Sequence, residues 1–513
     1  MFLTVPLIFY FNKKNKAFWT GIGQLVAALS NFLPLLAYLC IPSSYVDIQI
    51  GEREVKLCDE KPSIEDGECL AENLAPADWK KTFALGLFFV TKLCAGLASQ
   101  TYWTLGIAYM DDNVRNMAAP AVLGVCYMAG YLGGFLGSLL ASACLNQKIG
   151  ADLLGAWWLG WPIIGSFHLC LSFGFLLLPW SLPLNQEVKI DDQEESIRLS
   201  SKAHEEPDIE EDFHMKDIWI DLKRLFQNRT LMFDSLAMAF FLFSVTNRSY
   251  ISKFVEFQFL ISPSAASLFS GSSSMIGMIV ALGISIVVIT WFKPSARSLA
   301  LFNFLADILS MAVGLAFIFI DCDTSGVAKP ESCFDSCGCG RDYKPVCDEA
   351  SSQTFFSACA AGCSAMLNST FTECSCSSGV VIPGYCPTNC NTPLKAFLIT
   401  GFVLSFITGL GRVGNLLVHV RCVDKKDKAL GMAIQEVCLA LFAFIPGEVL
   451  FGTLVDSACN LWVDQGCGKS GNCLGYDMPD LRLKLFGVAA VGNGVAAVFD
   501  GLVWRNVKNL AIY

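Results

Sequence analysis

Eleven of the chain's 23 cysteines crowd between residues 322 and 390, and two long apolar stretches flank that cluster directly. They are Cys322, Cys333, Cys337, Cys339, Cys347, Cys359, Cys363, Cys374, Cys376, Cys386 and Cys390. Such density in a short segment without a continuous apolar core reads as a disulfide framework, which needs an oxidising compartment. A zinc cluster is the structural alternative, with Cys337-x-Cys339 and Cys374-x-Cys376 as ligand pairs. The segment holds no histidine and no C-x2-C pair, so disulfides are favoured. The sequon Asn368-Ser369-Thr370 inside it also suits a lumenal or extracellular site, which makes Asn368 the expected glycosylation position. With Ser298–Ile320 before it and Pro393–Leu417 after it, the cluster is an outer loop hung between two membrane spans.

The remaining composition agrees with a membrane protein. The chain is 54% hydrophobic and 16% charged, with a mean hydropathy of +0.50. Ten apolar segments reach the length of about 20 residues that a crossing needs. They cover 17–41, 82–110, 118–145, 155–179, 230–251, 264–291, 298–320, 394–418, 429–454 and 484–503. The net charge of −10 sits largely in loops, notably the run Glu205–Asp212. No basic, aromatic-interleaved patch suggests nucleic acid. No phosphate loop, HExxH or nucleophile elbow suggests an enzyme, and no cofactor is implied.

Five regions follow in order. Residues 1–184 form an N-terminal transmembrane half, and 185–229 a cytoplasmic linker, acidic and disordered over 185–212. Within that linker, 213–227 carries Ile218, Leu222, Leu225 and Phe226 at helical spacing and predicts a surface helix. Residues 230–320 hold three spans, 321–392 the outer cysteine domain, and 393–513 three more spans with a cytoplasmic tail. Lys13, Lys14 and Lys16, then Arg421, Lys425, Lys426 and Lys428, fall on the cytoplasmic face when spans are counted from the cysteine loop. Gly130, Gly133, Gly134 and Gly137 predict tight helix packing. The sequons at Asn228 and Asn247 lie at or within spans and are expected to stay bare.

Several stretches together resemble the organic anion transporting polypeptides, a solute-carrier family within the major facilitator fold. Asp152 with Gly155, Ala156, Trp157, Trp158, Leu159 and Gly160 resembles the family signature before its sixth span. Leu105-Gly106-Ile107-Ala108-Tyr109 with Asp111-Asp112-Asn113 resembles its fourth-span exit. Val420-Arg421-Cys422-Val423, Ala429-Leu430-Gly431, Phe444-Ile445-Pro446-Gly447, Phe451-Gly452 and Leu461-Trp462 resemble its C-terminal spans. The cysteine cluster resembles its Kazal-like loop, with Cys339-x7-Cys347 in place of an inhibitor's reactive segment and Arg341 at the specificity position. The implied fold is an all-α polytopic membrane protein, a major facilitator-type bundle lacking span one and most of span two. The chain departs from the family at Leu153-Leu154, Asn31, Ala95 and Glu448.

The resemblance implies sodium-independent movement of large amphipathic anions, such as steroid conjugates, thyroid hormones or prostanoids, by alternating access at the plasma membrane. An intramembrane charge is costly and normally faces a cavity. Lys92, Arg412 and Arg248 are therefore the candidate substrate cations. The alternative for each is an ion pair with Asp307, Glu436, Glu448 or Asp500. Trp157 and Trp158 read as an interfacial belt before they read as a stacking platform, and His168 as a packing residue. A rival function is a non-transporting surface protein whose Kazal-like loop binds a partner or protease.

Overall fold

A hydrocarbon core offers no water to bond backbone amides, so each crossing must close its hydrogen bonds within a helix. The computed structural model describes residues 14–40, 79–115, 118–146, 158–180, 215–261, 263–322, 345–367, 370–377, 379–386, 390–464 and 470–507. It also describes residues 8, 10, 11, 156, 510 and 512. Within them, nine helices are long and apolar enough to cross a membrane, and a shorter apolar one, Gly160–Leu176, makes a tenth segment. These ten coincide with the ten apolar runs of the sequence.

The N-terminal group begins with α1 (Lys16–Ser30) and α2 (Leu33–Cys40), which share one crossing. Next comes α3 (Trp79–Thr101), continued by a π turn at Tyr102–Gly106 into α4 (Ile107–Asn113). Then come α5 (Ala119–Asn146) and α6 (Gly160–Leu176). The surface helix α7 (Met215–Gln227) buries Leu225 against Leu231 and Leu430 while Trp219 stays exposed, in line with the periodicity over 213–227. The C-terminal group opens with α8 (Arg229–Val245), whose N-cap Asn228 accepts from the Leu231 amide at 3.2 Å. It continues through α9 (Arg248–Phe259), α10 (Pro263–Phe292) and α11 (Ala296–Ala316). After the outer domain come α12 (Asn391–Arg421), α13 (Lys428–Leu439), α14 (Ile445–Ser457) and α15 (Met478–Asn506).

Glycine sets the closest helix approach. A Cβ on Gly277 of α10 would stand 2.5 Å from the Phe402 carbonyl oxygen of α12. The expected packing stripe on α5 behaves differently. Gly133 and Gly137 face open space, Gly134 meets only Met275, and Gly130 lines a cavity. Spacing alone marks a small-residue face; whether a helix or a void meets it depends on the partner. The two groups instead join lower on α5, where a Cβ on Gly124 would lie 2.3 Å from Ile286. There Leu123 and Ile107 share a core with Met278, Leu282 and Val413.

The outer domain is a five-stranded antiparallel sheet ordered β2-β1-β5-β4-β3. Its strands are β1 (Val346–Asp348), β2 (Gln353–Phe355), β3 (Cys363–Leu367), β4 (Thr370–Cys374) and β5 (Val381–Pro383). Disulfides join Cys347 to Cys386 and Cys363 to Cys374, and Cys322–Cys390 closes the base where the chain leaves and re-enters the helices. Cys359 and Cys376 are also disulfide-bonded. Closing the 68-residue loop at Cys322–Cys390 restricts the unfolded chain by an amount worth about 4 kcal/mol. A further disulfide, Cys459–Cys473, pins the hairpin β6 (Cys459–Asp464) to β7 (Ser470–Tyr476). Cys333, Cys337, Cys339, Arg341, Asn368, Gly155, Trp157 and residues 185–212 lie outside the described residues.

Asp348 anchors the β1–β2 turn. Its carboxylate accepts from Ser351 Oγ at 2.7 Å and from the Ala350 amide at 3.1 Å. These bonds, the Ser351 hydroxyl first, hold its pKa below the usual carboxylate value. A depressed folded pKa gives stability that is full above the unfolded pKa and lost as pH falls through the folded one. Acidification through that window is expected to raise proteolytic cleavage within 346–386, and Asp348→Asn to flatten the response. A cleavage profile of Asp348→Asn as acid-sensitive as the parent's would count against this anchor.

Candidate functional site

The charged side chains within the helices divide into three groups by what they touch. At one end of the bundle, Asp111 and Asp112 close α4 on the N-terminal side, while Arg421 and Lys428 flank the turn after α12 on the C-terminal side. Arg421 Nη2 donates to Asp111 Oδ1 at 2.9 Å, and Lys428 Nζ donates to Asp111 Oδ2. Lys428 also reaches Asp112 Oδ1 at 3.0 Å, and Lys16 reaches Asp112 Oδ2 at 2.7 Å. Asp111 and Lys428 are both buried. Removing one member of a buried ion pair leaves an uncompensated charge, so this latch ties the two halves together at this end. Asp111→Ala is expected to open that end. A cysteine at Gln435, which lines the cavity above, should then react faster with a maleimide supplied from the cytoplasmic side. Equal labelling rates with and without Asp111→Ala would rule the latch out.

Above the latch lies a cavity of about 350 Å³ between the halves. Gln100, Trp103, Tyr127 and Tyr131 line it from the N-terminal side, and Met238, Gln435 and Glu436 from the C-terminal side. Gln100 Nε2 donates to Glu436 Oε2 at 2.9 Å and bridges the two walls. Gln100 precedes Asp111 by 11 positions, roughly 16 Å of helix rise.

A second cavity, about 70 Å³, opens among α8, α9, α10, α12 and α15. Its wall is rich in hydroxyl and amide groups, among them Ser244, Ser273, Ser405, Thr408 and Asn493. Arg248 supplies its cation. The guanidinium lies 3.5 Å from Ser405 Oγ. Among the described residues no carboxylate pairs with Arg248. Arg248 is the first residue of α9, directly after the short break at Thr246–Asn247.

Arg412 is placed behind the wall. It is buried, its Nε donates to the Thr408 carbonyl at 3.1 Å, and its guanidinium covers the Phe241 ring at 3.7 Å from the centroid. Its ion pair is with Asp307 at 3.6 Å. Asp234 forms a neighbouring buried group, accepting from Asn415 Nδ2 at 2.9 Å and bonded to His419 Nδ1 at 2.7 Å. Lys92 goes elsewhere: it is exposed, with its ammonium 5.2 Å from the centre of Trp161. Trp158 stacks on Tyr38 at 4.9 Å. Glu448 accepts from Ser249 Oγ at 3.1 Å and pairs with no cation among the described residues.

Of the three candidate cations, then, Arg248 alone borders a described cavity. The aromatic wall, Trp103 with Tyr127 and Tyr131, was not singled out from sequence. The i,i+4 spacing of the two tyrosines on an otherwise apolar helix is the signal that marks it.

Comparison with known proteins places this arrangement. The chain is 28% identical to solute carrier organic anion transporter family member 74D of Drosophila melanogaster over 462 residues, 83% of this chain and 55% of that one. It therefore spans about half the length of that relative. Member 1A1 of Rattus norvegicus is 26% identical over 82% of this chain and 68% of its own. Human member 1A2 is 24% identical over 97% and 81%. Among solved structures, the major facilitator superfamily transporter FucP in its outward conformation aligns at a TM-score of 0.42 and 12% identity, covering 97% of this chain and 89% of that one. The model of the Organic Anion Transporter Polypeptide (OATP) family matches residues 1–481, and the chain, a multi-pass membrane protein, belongs to that family.

Proposed function

We propose that this chain carries large amphipathic organic anions, of the steroid-conjugate, thyroid hormone or prostanoid kind, across the plasma membrane without sodium. The observation that carries the reading is Arg248: a guanidinium that meets no carboxylate among the described residues, in a polar cavity inside the helical bundle. A cation held in such a place attracts an anion without a fixed counter-charge to displace. The hydroxyl-rich wall around Arg248 suits polar substituents of the ligand. The aromatic wall of the cavity between the halves suits a flat apolar skeleton.

Alternating access supplies the mechanism. The Asp111–Lys428 latch supports a state in which the inner face is closed, and exchanging that latch for an outer closure would deliver the ligand inward. The outer domain is read as Kazal-like through the family resemblance, with Asn368 glycosylated. The test is uptake of a labelled steroid sulfate by cells expressing the chain, in sodium and in choline buffer. Uptake that is saturable, competed by other bulky anions and equal in both buffers supports the reading. Transport that requires sodium, or that prefers cations, would replace it.

A further inference from the structure

A groove outside the cavities described above opens between α11 and α15, at the start of one helix and the end of the other. These two helices pack along one another, and their outward faces show Phe302, Leu305, Leu309, Val491 and Val498 exposed, as lipid-facing residues are. Near the inner end a groove of about 610 Å³ opens between them. Phe304, Val498, Leu502 and Trp504 line it, and Arg297 and Arg505 close its cytoplasmic rim.

The two arginines have a definite address. Arg297 is the second residue of α11 and Arg505 the second-last of α15, so both stand at the end of an apolar helix long enough to cross a membrane. Arg297 is held over the Trp504 ring at 5.6 Å from the centroid, and Trp504 stacks on Phe304 at 6.5 Å and 3°. Neither arginine meets a carboxylate among the described residues, although ion pairs occupy Arg224, Arg412, Arg421 and Arg482. An apolar slot below two unpaired guanidinium groups matches a molecule with a phosphate above an acyl chain. Arg binds phosphate bidentately, and basic residues at the inner leaflet draw anionic lipid.

We infer that the α11–α15 groove binds one anionic diacyl phospholipid of the cytoplasmic leaflet, its phosphate between Arg297 and Arg505 and one acyl chain along Phe304, Val498 and Leu502. The site is separate from the transport cavities, so its failure would leave the proposed function standing. Its charge and its slot predict different defects, which makes them separable.

The experiment is native mass spectrometry of the full chain purified in detergent and titrated with phosphatidylserine or with phosphatidylcholine of the same chains. Phosphatidylserine should bind about tenfold more tightly. Arg297→Gln with Arg505→Gln should lower phosphatidylserine affinity roughly 30-fold, at a few-fold for each inner-leaflet cation. The corresponding double lysine variant should keep part of the preference, which guards against misfolding as the cause. Val498→Trp, which fills the slot and keeps both arginines, should lose the lipid as well. Orthophosphate at millimolar concentration should compete weakly. Equal binding of the two lipids, an unchanged preference in the glutamine variant, or full displacement by orthophosphate would each overturn the assignment, the last by making the groove a free-anion site.

Discussion

Arg248→Ala is expected to cut uptake of a labelled steroid sulfate by ten- to a hundredfold per molecule at the surface, with surface abundance unchanged. A hydrogen bond to a charged group contributes about 1.5–3 kcal/mol, which spans that range when the guanidinium meets an anion in a water-poor cavity. Folding should be spared because Arg248 makes one long contact, to Ser405 Oγ at 3.5 Å, and no ion pair among the described residues. Arg248→Lys should retain part of the activity, since the charge survives and the bidentate fork does not. Surface biotinylation beside initial uptake rates separates the possibilities. If both variants lose surface protein in proportion to uptake, Arg248 is a structural residue. If Arg248→Ala transports normally while Lys92→Ala does not, the binding cation lies beside Trp161 and the cavity assignment falls.

The crossings were legible because ten long apolar runs leave a chain few alternatives. The three candidate cations were legible as charges in apolar surroundings, but not their fates. Whether an arginine meets a void or a carboxylate depends on which face of its helix turns inward. The pairs that decide it are remote in sequence: Asp111 meets Arg421 across 310 positions, and Gln100 meets Glu436 across 336. Asp307, one of the carboxylates that the sequence places within the spans, is the partner of Arg412. The break at Thr246–Asn247 before Arg248 has no proline or glycine to announce it. The glycine stripe of α5 shows the same limit from the other side. Its spacing is as regular as any packing motif, yet only the neighbouring helices determine that Gly130 borders a cavity and Gly133 meets none of the described residues. In the outer domain the hairpin disulfide Cys363–Cys374 is local, whereas Cys347–Cys386 follows from a strand order, β1 beside β5, that spacing does not encode.

Arg412→Ala should be the most damaging single change to stability, at about 3–5 kcal/mol. The guanidinium is the cation for a buried acidic cluster: Asp307 at 3.6 Å, with Asp500 adjoining Asp307 and Asp234 in the next group along α12. Asp500 lies within side-chain hydrogen-bonding reach of Asp307, and Arg412 is the cation beside the two carboxyl groups. Taking the arginine away leaves neighbouring carboxyl groups with no cation and strips Phe241 of the group that covers it. The reverse change should cost much less. Asp307→Asn preserves shape, relieves the crowding with Asp500 and leaves Arg412 a carboxylate nearby. The two substitutions on one ion pair are thus expected to differ severalfold, an asymmetry that a symmetric pair would not show. Replacing both by apolar residues, Arg412→Met with Asp307→Leu, should recover much of the loss, because a buried pair is worth little against well-packed hydrophobic side chains. Thermal unfolding of the purified chain in detergent, read beside surface abundance, measures all three. Should Arg412→Ala unfold at the parental temperature and yet fail to transport, Arg412 would belong to the substrate cavity rather than to the support behind its wall.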